Sequence, residues 1–129
     1  MKITADHTYI IVHFDIHQSW DFFQVIGLDE DESNALHQQI DHLLYQATLN
    51  EQENDFLAIE YIIAYAFEKK FSLFKNYPKE FFDNMAVECD GETLDFIIDL
   101  SETIVKEAAV HLLKNLLKYD LFEYQLLTS

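Results

Sequence analysis

Along most of this chain, apolar positions recur at intervals of three and four, the spacing of a single helical face. Leu36, Ile40, Leu43, Leu44 and Ala47 form one such stripe and predict a helix from about Glu32 to Leu49. Before it, Asp15 to Ile26 reads as a helix. Asp15 suits its positive N-terminal end, and Gly27 suits the left-handed position just past its C-terminus. Asp29, with Glu32 three residues on, has the form of a capping pair for the next helix.

A third helix is expected from about Gln52 to Phe74, with Asn50 as N-cap and Glu53 at N3. It is apolar nearly all round from Phe56 to Phe67, which predicts the central, most buried element. Pro78 fits the first position of a helix reaching about Val87, since its missing N–H has no partner there anyway. Asp90-Gly91 breaks the chain. Leu94, Ile97, Ile98, Ser101, Ile104, Val105, Ala108, Leu112 and Leu116 then keep the helical period to about Lys118, and a short last helix covers Leu121 to Leu127.

Two places admit strands. Thr8 to Phe14 (TYIIVHF) is β-branched and aromatic, but it lacks an evident partner. Asp90-Gly91 can also turn a hairpin between Val87–Cys89 and Thr93–Phe96, the less favoured reading. The expected fold class is all-α: one domain, residues 1–129, a compact bundle of five or six helices with room for one short N-terminal strand.

Composition supports few, long elements. Among 129 residues there are only two glycines and one proline, too few for a chain of many tight turns. Half of the residues are hydrophobic, enough for one packed core. No stretch has the length and apolarity of a signal peptide or a membrane span, and the single cysteine, Cys89, fits a reducing cytoplasm.

Charge narrows the function. Twenty-four acids against eight lysines, with no arginine, give a formal net charge of −16. Nucleic acid and anionic membranes are poor partners for such a field; a basic protein is a good one. The helical reading places Glu92, Asp95, Asp99 and Glu102 on one face, at spacings of three, four and three. Like charges so spaced cost a helix roughly 0.2–0.5 kcal/mol per pair, so the stripe is either a solvated face or a recognition surface. Asp29, Glu30, Asp31 and Glu32 form a second acidic focus.

These two clusters, on a small acidic chain read as helical, resemble bacterial immunity proteins of the colicin and contact-dependent-inhibition type. Acidic inhibitors that mimic DNA look similar. The resemblance lies in composition and general architecture. It implies a non-enzymatic inhibitor that covers the basic active site of a cognate nuclease toxin. The expected partner-binding residues are Asp29, Glu30, Asp31, Glu32, Glu92, Asp95, Asp99 and Glu102, with Trp20 and Tyr45 as conceivable aromatic anchors. A core position is the favoured reading for Trp20.

Other chemistry was weighed against this. The pairs Glu80/Asp83 and Glu92/Asp95 have the E-x-x-D form with which some all-α nucleotide hydrolases hold Mg²⁺, but basic groups for a substrate phosphate are few. A helical scaffold or regulatory protein shares the same surface physics as an inhibitor. His13 and His17 would share a helix face, yet two ligands do not make a stable zinc site. Glu60, flanked by Phe56, Leu57, Ile63 and Ala64, is expected to be paired or exposed rather than catalytic. Cys89 lies between Glu88 and Asp90, which disfavour a thiolate. No catalytic residue, metal or cofactor is assigned.

Overall fold

The computed structural model describes residues 3, 6–50 and 53–128, without the side chains of Asn50 and Glu53. The capping pair expected of those two residues lies outside what is described. The elements, in order, are β1 (His7–Asp15), α1 (Ser19–Val25), α2 (Glu30–Asn50), α3 (Glu53–Lys70), α4 (Lys79–Asp83), β2 (Met85–Asp90), β3 (Thr93–Asp99), α5 (Thr103–Leu116) and β4 (Glu123–Thr128). Single 3₁₀ turns at Ile16–Gln18 and Ser72–Asn76 lead into α1 and α4.

The all-α expectation is therefore wrong. The four strands form one antiparallel sheet in the order β2-β3-β1-β4. β1 and β2 are both antiparallel to β3, so they run parallel to each other; β3 and β4 stand in the same relation about β1. Two interleaved crossovers result, α1–α4 in the first and α5 in the second. This is the split β-α-β-β-α-β arrangement, with its first crossover enlarged.

β1 carries Ile10, Val12 and Phe14 inward, and β3 carries Leu94, Phe96 and Ile98 inward, all buried. Phe96, Ile97 and Ile98 are aromatic and β-branched, and they alternate as well as they fit a helix. Once β1 pairs with this segment, alternation wins. The predicted helix through residue 118 thus divides into β3 and α5. The helix expected from Pro78 to Val87 stops at Asp83, and the chain turns into β2. The expected last helix, Leu121–Leu127, is the edge strand β4. The hairpin set aside on sequence grounds is real: Asp90 pairs with Thr93, and Gly91 takes φ +62°, a conformation that L side chains rarely adopt.

Helix punctuation follows expectation more closely. Gly27 has φ +98° just past α1, and Asp29 Oδ1 accepts the Glu32 amide at 2.8 Å at the start of α2. α3 is not the central element. It buries Ile59, Ile63, Ala66 and Phe67 along one side and leaves Leu57, Tyr61 and Tyr65 exposed on the other, Tyr61 by 71%.

The helices pack on one face of the sheet through a chain of rings. Phe22 of α1 stacks on Phe14 at 4.8 Å, and Phe67 of α3 meets Phe96 at 4.3 Å and Phe74 at 4.7 Å. α5 completes this core with Val105, Ala109, Leu112, Leu113 and Leu116. Phe22 touches rings from β1, β3, α3 and the loop before β4. Phe22→Ala is expected to lower stability by about 3–5 kcal/mol in urea denaturation.

Candidate functional site: the acidic end of the open sheet face

Among the described residues, the second face of the sheet carries no helix, and its side chains follow from the strand register. Glu88 pairs with Asp95, Asp95 with His13, and His13 with Glu123, so one row crosses all four strands. One step nearer the hairpin, Asp90, Thr93 and Asp15 form the next row. Toward the other end lie Ala86, Ile97, Ile11 and Gln125, then Asp99, Tyr9 and Leu127. The open face is thus acidic at the hairpin end and largely apolar at the other.

Glu88 directly opposite Asp95 is a like-charge pair, which costs a sheet stability. Burial holds the Asp95 carboxyl above its usual range; His13 partly offsets this and Asp90 adds to it. His13 Nε2 stands 3.8 Å from Glu123 Oε2, and His17 Nε2 stands 3.6 Å from Glu92 Oε1. The Ile16 amide donates to the Glu92 carbonyl at 2.7 Å, which fixes the hairpin tip against the end of β1.

Beside this row is a cleft of about 330 Å³, bordered by His13, Asp15, Glu92, Asp120 and Glu123, with Gln18 and Leu121. Among the described residues, four carboxylates line it and no lysine does. Gln18, Asp120 and Leu121 separate it from a shallower depression of about 600 Å³ that holds Asp21 and Lys118. The cleft can receive a cationic side chain, since convergent carboxylates with one neutral or protonated imidazole favour positive charge.

The predicted stripe does not exist as one helix face. Glu92 and Asp95 lie at the acidic end. Asp99 sits at the far end of β3, where its Oδ1 accepts the Ser101 amide at 2.9 Å. Glu102 precedes α5, and its Oε2 accepts from Asn84 Nδ2 at 2.9 Å. Asp29, Glu30, Asp31 and Glu32 begin α2, in the helical layer that covers the opposite face, so they share no surface with Asp95. Asp15, Glu88, Asp120 and Glu123 were missed. Reading HTYIIVHFD and EYQLLT as alternating strands would have found two of them, Asp15 and Glu123.

Trp20 is half-buried and ties α1 to α2 by donating from Nε1 to Asn34 Oδ1 at 2.7 Å; it is not a core residue. Tyr45 is exposed on α2. His13 and His17 share no helix face, since one is on β1 and the other in a 3₁₀ turn. Glu80 and Asp83 lie on α4, with Asp83 3.9 Å from Lys79, away from Glu92 and Asp95 on the hairpin. Among the described residues, no group of three or more His, Cys, Asp or Glu side chains is placed to hold a metal ion.

Two further constellations invite a chemical reading. Ser19 Oγ lies 2.7 Å from His37 Nδ1, and His37 Nε2 lies 3.2 Å from Asp41 Oδ2. The residue types are those of a hydrolytic triad, but Ser19 is fully buried, so no acyl group reaches its oxygen. The trio clasps α1 to α2. Glu60 accepts the Cys89 amide at 2.8 Å, so its partner is the backbone of β2 rather than a lysine or a tyrosine. Burial pushes the Cys89 thiol up to about 11, with Glu60, Asp90 and Asp95 adding to it, so it is not a nucleophile at neutral pH.

Compared with known proteins, the chain matches no family model, no curated protein and no solved structure.

Two outcomes follow from these shifts. Asp95→Asn should raise the urea midpoint at neutral pH, because the native state disfavours the charged carboxylate. A folded pKa above the unfolded one adds stability only below the unfolded pKa, so at about pH 3 the gain should vanish. Alkylation of Cys89 in the folded chain should keep accelerating to about pH 11 and be about a hundredfold slower at mildly alkaline pH than in the unfolded chain.

Proposed function

We propose that this chain is a non-enzymatic inhibitor that binds a basic protein partner through the acidic end of its open sheet face. The observation that carries this reading is the cleft, where Asp15, Glu92, Asp120 and Glu123 converge with His13 and, among the described residues, no lysine lines it. The Glu88–Asp95 juxtaposition supports it: a fold that keeps like charges directly opposed accepts a local cost, and such violations cluster at functional sites.

The partner is most simply a nuclease toxin, as the resemblance to immunity proteins implies. A nuclease must attract phosphate, so its active site is basic, and carboxylates set in a cleft can take the place of that phosphate. Long-range attraction from a −16 chain speeds the encounter, and the cleft then selects a lysine or arginine. A cytoplasmic location belongs to the same proposal. Among the described residues, no helix is long and apolar enough to cross a membrane.

The test uses a basic protein retained on the immobilised chain at low salt and released by rising salt. Its nuclease activity should fall in proportion to added chain. The variant Asp15→Asn/Glu92→Gln/Glu123→Gln should slow association on the order of tenfold or more and flatten its salt dependence. Unchanged association in that variant would remove the cleft from the interaction.

A further inference from the structure

The two edges of the sheet are finished differently. β2 is closed: α3 packs against it, and the Glu60 carboxylate accepts the outward amide of Cys89 at 2.8 Å. β4 has β1 as its only strand neighbour. Among the described residues, the one side chain bonded to its backbone is Thr8, whose Oγ1 donates to the Leu127 carbonyl at 3.4 Å, and no element other than β1 donates to or accepts from that backbone. Beyond an irregularity in its pairing with β1 between His7 and Tyr9 and the charge of Glu123, β4 has few devices that blunt an edge. Its sequence, EYQLLT, has no proline, no lysine and no inward charge.

The core is unfinished along the same line. The inward residues of β1 and β3 are fully covered, whereas Tyr124 and Leu126 of β4 are only half-buried. On the outer side, Leu127 is exposed, and Glu123 belongs both to β4 and to the acidic cleft. Open backbone groups, a half-covered apolar row and one wall of a carboxylate cleft therefore lie on one strand.

We infer that β4 is a site of strand addition for an extended segment of the basic partner. This rests on the cleft reading above and names how the partner would engage it. The segment's backbone pairs with β4. Its inward side chains are apolar and cover Tyr124 and Leu126, and an arginine or lysine on its outward side passes Glu123 into the cleft. Backbone pairing gives affinity and alternate side chains give specificity, as in other edge-strand recognition. A second copy of this chain is the weaker occupant, since two chains of −16 repel each other.

The probe is a set of blocked, threonine- and valine-rich extended peptides, each with one arginine at a different position. Each has a twin N-methylated at alternate residues, which cannot pair with an edge. Amide hydrogen exchange of the whole chain is the readout. The expected result is that at least one peptide slows exchange across Glu123–Thr128 by about tenfold or more, that its N-methylated twin does not, and that the Asp15→Asn/Glu92→Gln/Glu123→Gln chain loses most of the effect.

Equal binding by the twins, lost in the triple variant, would overturn strand addition and leave the cleft reading standing. Protection of β4 that persists in the triple variant would keep the edge and remove the cleft. No binding by any peptide would overturn the inference. Protection that is already present without peptide and grows with protein concentration would also overturn it, by assigning the edge to a second copy.

Discussion

Seven residue pairs between β1 and β3 decide which side of the sheet each of their side chains faces. A slip of β1 by one residue would send Phe14 to solvent and bring His13 into the core. The ring chain from Phe14 through Phe22 to Phe67 holds only in the observed register. The same register aligns Glu88, Asp95, His13 and Glu123 across the open face. Core and acidic row are thus two products of one pairing, and neither can change without the other.

The charge distribution looks different once the sheet is in place. Some acids of the two expected recognition clusters have local structural partners instead: Asp29 caps α2, Asp99 holds the turn after β3, and Glu102 accepts from the Asn84 side chain. At the hairpin end Glu88, Asp90, Glu92, Asp95 and Glu123 lie together on three strands and their turn. Asp95 is the informative one, because the fold keeps it among carboxylates while burial penalises its charge. His13 is the only imidazole in that row and moderates the repulsion.

Local rules were legible in the chain wherever one residue decides the outcome. Gly27 ends α1, Asp29 caps α2, and the Leu36–Ala47 stripe faces the core in outline. Strands were not legible, because their assignment depends on partners far away in sequence. LDFIID satisfies a helical period and an alternating one equally, and only pairing with residues some eighty positions earlier, through Phe14↔Leu94, decides between them. The α3 segment misled in the opposite direction: Tyr61 and Tyr65 read as core by composition, yet they stack on each other at the surface. The acidic end was half visible, through Glu92 and Asp95, because its other members sit on strands taken for helix or left undecided, or, for Asp120, in the turn before β4.

The carboxylate of Glu60 on the Cys89 amide has a consequence for assembly. Open-ended sheet growth needs two free edges per molecule, one to accept the previous unit and one to offer the next. With β2 sealed, any edge-to-edge contact between copies must use β4 on both sides, which yields a closed two-fold pair that cannot propagate. α3 and its half-buried Glu60 thus limit the polymerisation that an unguarded β4 would otherwise permit.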